Sequence, residues 1–224
     1  MDVMDAKQRD VYYRKWCRWL VRIEADVNAL LLNRAIAQGV QDILRANTAL
    51  PPSRFVGWMS AAYGRAQASG VRRHAVADRY GRDYSLAALL VDIRDHPEVL
   101  SRQRFKRKYA NKTIFVKATA DADFDDLVGP GCDHPSASRV ERDLVRLRVR
   151  ARKIKRYVDT HVAHYDRRRL RIPPSFDELD EALDFLGELC RRYHYLMFAI
   201  DRVPFEANII DHWTAIFELP WIEI

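Results

Sequence analysis

The stretch Ser138-Arg-Val-Glu-Arg-Asp-Leu-Val-Arg-Leu-Arg-Val-Arg-Ala-Arg-Lys-Ile-Lys-Arg-Tyr-Val-Asp-Thr-His-Val-Ala-His164 decides the fold class. Val140, Leu144, Leu147, Ala151, Ile154 and Val158 recur at the spacing of one helix face. Arg139, Arg142, Arg146, Arg148, Arg150, Arg152, Lys153, Lys155 and Arg156 surround that stripe. The segment therefore reads as an amphipathic helix whose apolar side must pack against neighbours. Ser138 and Glu141 have the spacing of a capping box, in which each side chain satisfies an amide the helix start leaves open. The helix is predicted to run from there to about His164.

The segments on either side read in the same way. Ile172-Pro-Pro-Ser175 interrupts the chain, and Ser175-Phe-Asp-Glu178 forms a second capping box. The helix it opens carries Leu179, Leu183, Leu186 and Cys190 and is predicted to reach about Ala199. A short helix is expected near Asn208 to Phe217, with Pro220-Trp221 closing the chain. Toward the N-terminus, Trp16, Leu20, Ile23, Val27 and Leu30 predict one or two long helices from about Asp5 to Asn47. The two prolines before Ser53 end that region, and a helix is predicted from Arg54 to Ala68. Ser69-Gly70 reads as a break. Ser85 can cap a helix over Leu86 to Asp95, and Arg102 to Lys108 reads as helical.

Ala110 to Ala137 is the least regular part. Thr113-Ile-Phe-Val116 is β-prone but too isolated to imply a sheet. Asp121, Asp123, Asp125 and Asp126 precede Gly129-Pro-Gly131. They lack the glycine and terminal glutamate of a calcium loop, so the segment reads as one long, solvated acidic loop without a metal. With no repeat and no shift of composition, residues 1–224 read as one helical domain.

The chain is 48% hydrophobic, enough to bury a substantial core, and has no apolar run near the ~20 residues of a membrane span. The charged start MDVMDAKQRD lacks an apolar signal core, and Cys17, Cys132 and Cys190 show no paired spacing. A cytoplasmic location and no membrane partner are expected. The net charge of +7 comes mainly from arginine, which suits phosphate recognition, so a polyanion such as RNA is the expected partner class.

The end of the basic helix brings Arg156, His161 and His164 together in sequence. Imidazole can take or give a proton near neutral pH, and a guanidinium can hold a phosphate. Together they suit RNA cleavage through the ribose 2′-hydroxyl, which needs no metal or other cofactor. Arg191-Arg-Tyr-His-Tyr195 also combines aromatic and basic groups, but on a helix face that reads as core.

Val162-Ala-His-Tyr-Asp166 within this helix resembles the signature of HEPN domains, most closely the AbiU-type abortive-infection branch. Arg72-Arg-His74, Ser85-Leu86 and Leu89-Leu-Val-Asp-Ile93 resemble the middle of AbiU-type proteins, and Trp213 and Pro220-Trp221 fit their end. The resemblance implies a helical bundle of about six to eight helices and a homodimer with two copies of the motif across a two-fold interface. It implies RNA cleavage in prokaryotic phage defence, or a toxin, with Arg156, His161 and His164 as catalytic residues. Arg152, Lys153, Lys155, Arg167 and Arg168 would bind the RNA. The family spaces its arginine and histidine by roughly four to six residues. Arg156 fits that spacing toward His161 but stands one residue too far from His164, and the positions expected for His164 hold Tyr157, Val158 and Asp159. The alternative is a degenerate module that binds RNA or a protein partner, such as an antitoxin or regulator, without turnover.

Overall fold

Asp5 starts the longest helix, its side chain accepting from the Gln8 amide while Gln8 reaches back to the Asp5 amide. The computed structural model describes residues 4–48, 53–77, 83–110, 112–163, 173–201 and 212–218. It comprises α1 (Ala6–Ala46), α2 (Arg54–Ala75), α3 (Leu86–Asp95), α4 (Arg102–Arg107), α5 (Ile114–Val128), α6 (Ala137–Tyr157) and α7 (Phe176–Phe198). A π turn at Val158–Val162 continues α6, and 3₁₀ turns lie at Pro97–Val99 and Trp213–Phe217. The fold is an all-α bundle, with no strand among the described residues.

α6 occupies the middle, packed by α2 and α3 and also by α7, while α1 runs along α7. The predicted stripe of α6 is buried from Val140 to Val158. It joins Trp16, Leu20, Ile23 and Val27 of α1 and Leu179, Leu183, Leu186 and Leu189 of α7 in one apolar cluster. The outer cations have work there too. Arg146 and Arg150 lie over the Phe185 ring of α7, at 4.8 and 4.4 Å from its centroid. Among the described residues no helix is long and apolar enough to cross a membrane.

Three local expectations are corrected. α6 is capped by Ser136, whose Oγ accepts from the Arg139 amide, rather than by Ser138. Glu141 instead pairs with Arg94 of α3 at 2.8 Å, so a contact between helices displaces the capping box. The supposed acidic loop is mostly helix α5. Three of its four carboxylates are engaged: Asp121 by Arg102 and Lys106, Asp125 by Arg102, and Asp123 by Tyr109 and Thr119. Phe124 and Ala120 on its other side are buried, and this packing outweighs the irregular reading of the sequence.

Ser69-Gly70 does not break α2, which continues to Ala75. A Cβ at Gly70 would lie 2.5 Å from Leu30 Cδ2, so the bare glycine lets α2 approach α1. Gly57, in the same helix, has no described residue within 4 Å of that position. Gly70→Ala is therefore expected to destabilise by about 1–3 kcal/mol through overpacking. Gly57→Ala should stabilise by roughly 0.5–1 kcal/mol. Denaturant midpoints of the two variants check the contrast. Equal shifts would mean that backbone propensity alone decides both.

Candidate active site at the end of the Arg-rich helix

α6 ends by widening. The π turn is closed by the Ala163 amide donating to the Val158 carbonyl at 2.8 Å. Such a turn holds one residue more than an α turn and often occurs at functional sites. Val158 stays in the core, so Asp159 to Val162 take up the widening at the partly exposed surface.

Asp159 ties the turn to the bundle. Arg72 Nε of α2 donates to its Oδ1 at 2.5 Å, and Lys155 Nζ to its Oδ2 at 2.5 Å. Partial burial pushes the Asp159 carboxyl up, but hydrogen bonds from Lys155 and Arg72 outweigh it and hold the group below its ordinary value. Its contribution to stability is thus present above the unfolded carboxyl pKa and is lost as pH falls through the lowered folded value. The side chains of Arg72 and Asp159 are 40% and 29% exposed, which limits the pair to about 1 kcal/mol. Asp159→Asn should speed hydrogen exchange of the Ala163 amide by roughly five-fold at neutral pH. Amides that exchange through local openings elsewhere, as in the first turn of α1, should be unchanged. An unaltered Ala163 rate would show that the π turn holds without this tie.

Arg73 and His74 point to a different partner from Arg72. Both of them bind Asp26 of α1, and His74 is fully buried. The hydrogen bond from His74, its charge and that of Arg73 hold the Asp26 carboxyl down against partial burial. The three consecutive residues thus anchor α2 to α1 and to the π turn together.

Arg156, in the last turn of α6, is exposed and has no carboxylate partner among the described residues. Its carbonyl accepts from Thr160 Oγ1 at 2.7 Å, and the same oxygen lies 2.7 Å from His161 Nδ1. With the hydroxyl proton directed to the Arg156 carbonyl, Thr160 Oγ1 accepts from Nδ1–H. The neutral His161 ring then carries its basic lone pair on Nε2. Tyr157 stacks on the ring, with centroids 6.0 Å apart and planes within 14°. His161 is thus oriented from two sides, close in the chain to the exposed Arg156 guanidinium. His164, Arg167 and Arg168 lie outside the described residues.

Of the remaining basic residues singled out in the sequence, Arg152 is exposed, Lys153 bonds both oxygens of Glu178 at the start of α7, and Lys155 is held by Asp159. Arg152 and Lys155 join Arg148 around an open cleft of about 310 Å³ floored by Ala75, Ala77 and Ala151. Arg148 and Arg152 have no carboxylate partner among the described residues. A cleft with three cations and no carboxylate among the described residues of its lining suits a phosphate chain. Arg148 had no distinguishing mark in the sequence, because its place depends on where α2 ends. The π turn likewise has no sequence signature, since it is a choice of backbone partner.

Arg192 to Tyr195 fulfil the core role, while Arg191 is exposed. Arg192 and Tyr193 bind the buried Asp143, His194 binds the buried Glu24 at 2.7 Å, and Tyr195 meets Tyr109. Among the described residues no group of three His, Cys, Asp or Glu could hold a metal ion. Compared with known protein families, curated proteins and solved structures, the chain matches none of them.

Proposed function

We propose that this chain is a HEPN-type, metal-independent ribonuclease of prokaryotic phage defence, or a toxin, with Arg156 and His161 or His164 in its active site. The observation that carries the reading is the exposed Arg156 guanidinium, without a carboxylate partner among the described residues, close in the chain to a histidine oriented by Thr160 and Tyr157. The spacing adds support. A π turn takes up one residue more than an α turn. One residue is also the excess of the Arg156 to His164 spacing over the family range.

In the reaction, a histidine removes the proton of a ribose 2′-hydroxyl as that oxygen attacks the adjacent phosphorus. The bond from phosphorus to the 5′-oxygen breaks, and the leaving oxygen takes a proton. The products are a 2′,3′-cyclic phosphate and a 5′-hydroxyl. Arg156 would bind the non-bridging oxygens as their charge rises. The cleft of Arg148, Arg152 and Lys155 would hold the flanking phosphates. A homodimer belongs to the same reading. Val145 and Val149, at 45% and 60% exposed, share the outer face of α6 with Arg152 and Arg156, where a second copy could pack.

One observation favours binding without turnover. Asp159 puts a carboxylate among the positions where the resemblance expects arginine relative to His164, and Arg72 and Lys155 hold it in place. The test is incubation of single-stranded RNA with purified protein in EDTA, beside Arg156→Ala, His161→Ala and His164→Ala. Cyclic-phosphate ends formed by the wild type and lost with Arg156 support the nuclease. Tight binding without product supports the module, and equal cleavage by all four proteins points to a contaminant.

A further inference from the structure

We propose a second contact site, a groove on α1 that binds an unpaired base of single-stranded RNA and its phosphate. The inference rests on the reading of the chain as an RNA-handling protein. Arg18, Trp19 and Arg22 of α1, Tyr84 before α3 and Phe198 at the end of α7 line an open groove of about 650 Å³. That volume lies in the range of pockets for ligands the size of a nucleotide.

The chemistry of the lining is one-sided. Trp19 and Tyr84 meet edge to face, with centroids 5.9 Å apart, and Tyr84 is 41% exposed. The Arg22 guanidinium lies over the Tyr84 ring at 4.6 Å, and the Lys15 ammonium over the Trp19 ring at 4.5 Å. Arg18 and Arg22 are exposed, and among the described residues they have no carboxylate partner and no acidic residue lines the groove. Bases stack on aromatic rings and on guanidinium planes, and arginine pairs with the attached phosphate. A planar anion therefore fits the groove. Double-stranded RNA hides its base faces and does not.

The groove is also near the basic cleft along the chain. Ala77 lines the cleft and Tyr84 the groove, and only seven residue steps separate them. Fully extended, those steps span at most about 25 Å. One short strand could lie in both.

The test measures binding of a labelled oligouridine of about eight nucleotides, single-stranded and then paired with its complement. The single strand should bind more tightly. Tyr84→Ala should weaken its binding by roughly ten-fold, and Tyr84→Phe, which keeps the ring, by less than about two-fold. Arg18→Glu with Arg22→Glu, both at exposed positions, should weaken binding further and flatten its dependence on salt. Melting curves confirm that each variant is folded. Wild-type binding by the Tyr84→Ala and Arg18→Glu/Arg22→Glu proteins overturns the groove. If Arg148→Glu with Arg152→Glu loses binding in that case, the reading of the α6 site survives. Failure of the wild type to bind RNA at all overturns both.

Discussion

Arg156→Ala should lower RNA cleavage by about 10²–10³-fold, the usual cost of removing one group that stabilises developing negative charge. The folded state should barely change, because the side chain is exposed and engages no carboxylate among the described residues. The loss should appear in the single-turnover rate at saturating RNA more than in affinity, since the cleft cations remain. Arg156→Lys keeps the charge without the planar fork and should recover only part of the rate. A single-turnover rate within about two-fold of wild type would remove Arg156 from the chemistry.

Trp16→Ala should have the largest effect on stability, about 3–5 kcal/mol. Trp16 is fully buried among the residues of the central cluster. Its Nε1 donates to Asp92 Oδ2 at 2.7 Å, the same oxygen that pairs with Lys15. Truncation therefore empties a large volume and removes one of two donors from a partly buried carboxylate. Against a total stability of roughly 5–15 kcal/mol, this is a large fraction. Denaturant titration followed by circular dichroism measures it. A small midpoint shift would mean that the α1–α3 contact lies outside the cooperative core.

The fold was legible where pattern and capping agreed. The α6 stripe is buried as its spacing implied, and Ser175 and Glu178 form the capping box their spacing suggested. It was less legible where a distant partner decided the outcome. Gly70 reads as a break until Leu30 is seen against it, and the aspartates of α5 read as a loop until Arg102 and Lys106 are placed. The candidate site divides in the same way. Arg156 and His161 were visible from residue type and spacing. Their orientation by Thr160 and Tyr157, and the tie from Arg72 to Asp159, depend on backbone register and on α2.

The π turn also affects how this chain compares with others. It places one more residue between its flanks than an α-helix of the same shape would. An ungapped comparison across residues 158–162 therefore sets one flank out of step by a residue, a rotation of about 100° around the helix. Related chains with a plain α-helix here would carry equivalent side chains at different separations. Aligning such a chain with this one would take a single gap between Tyr157 and Ala163.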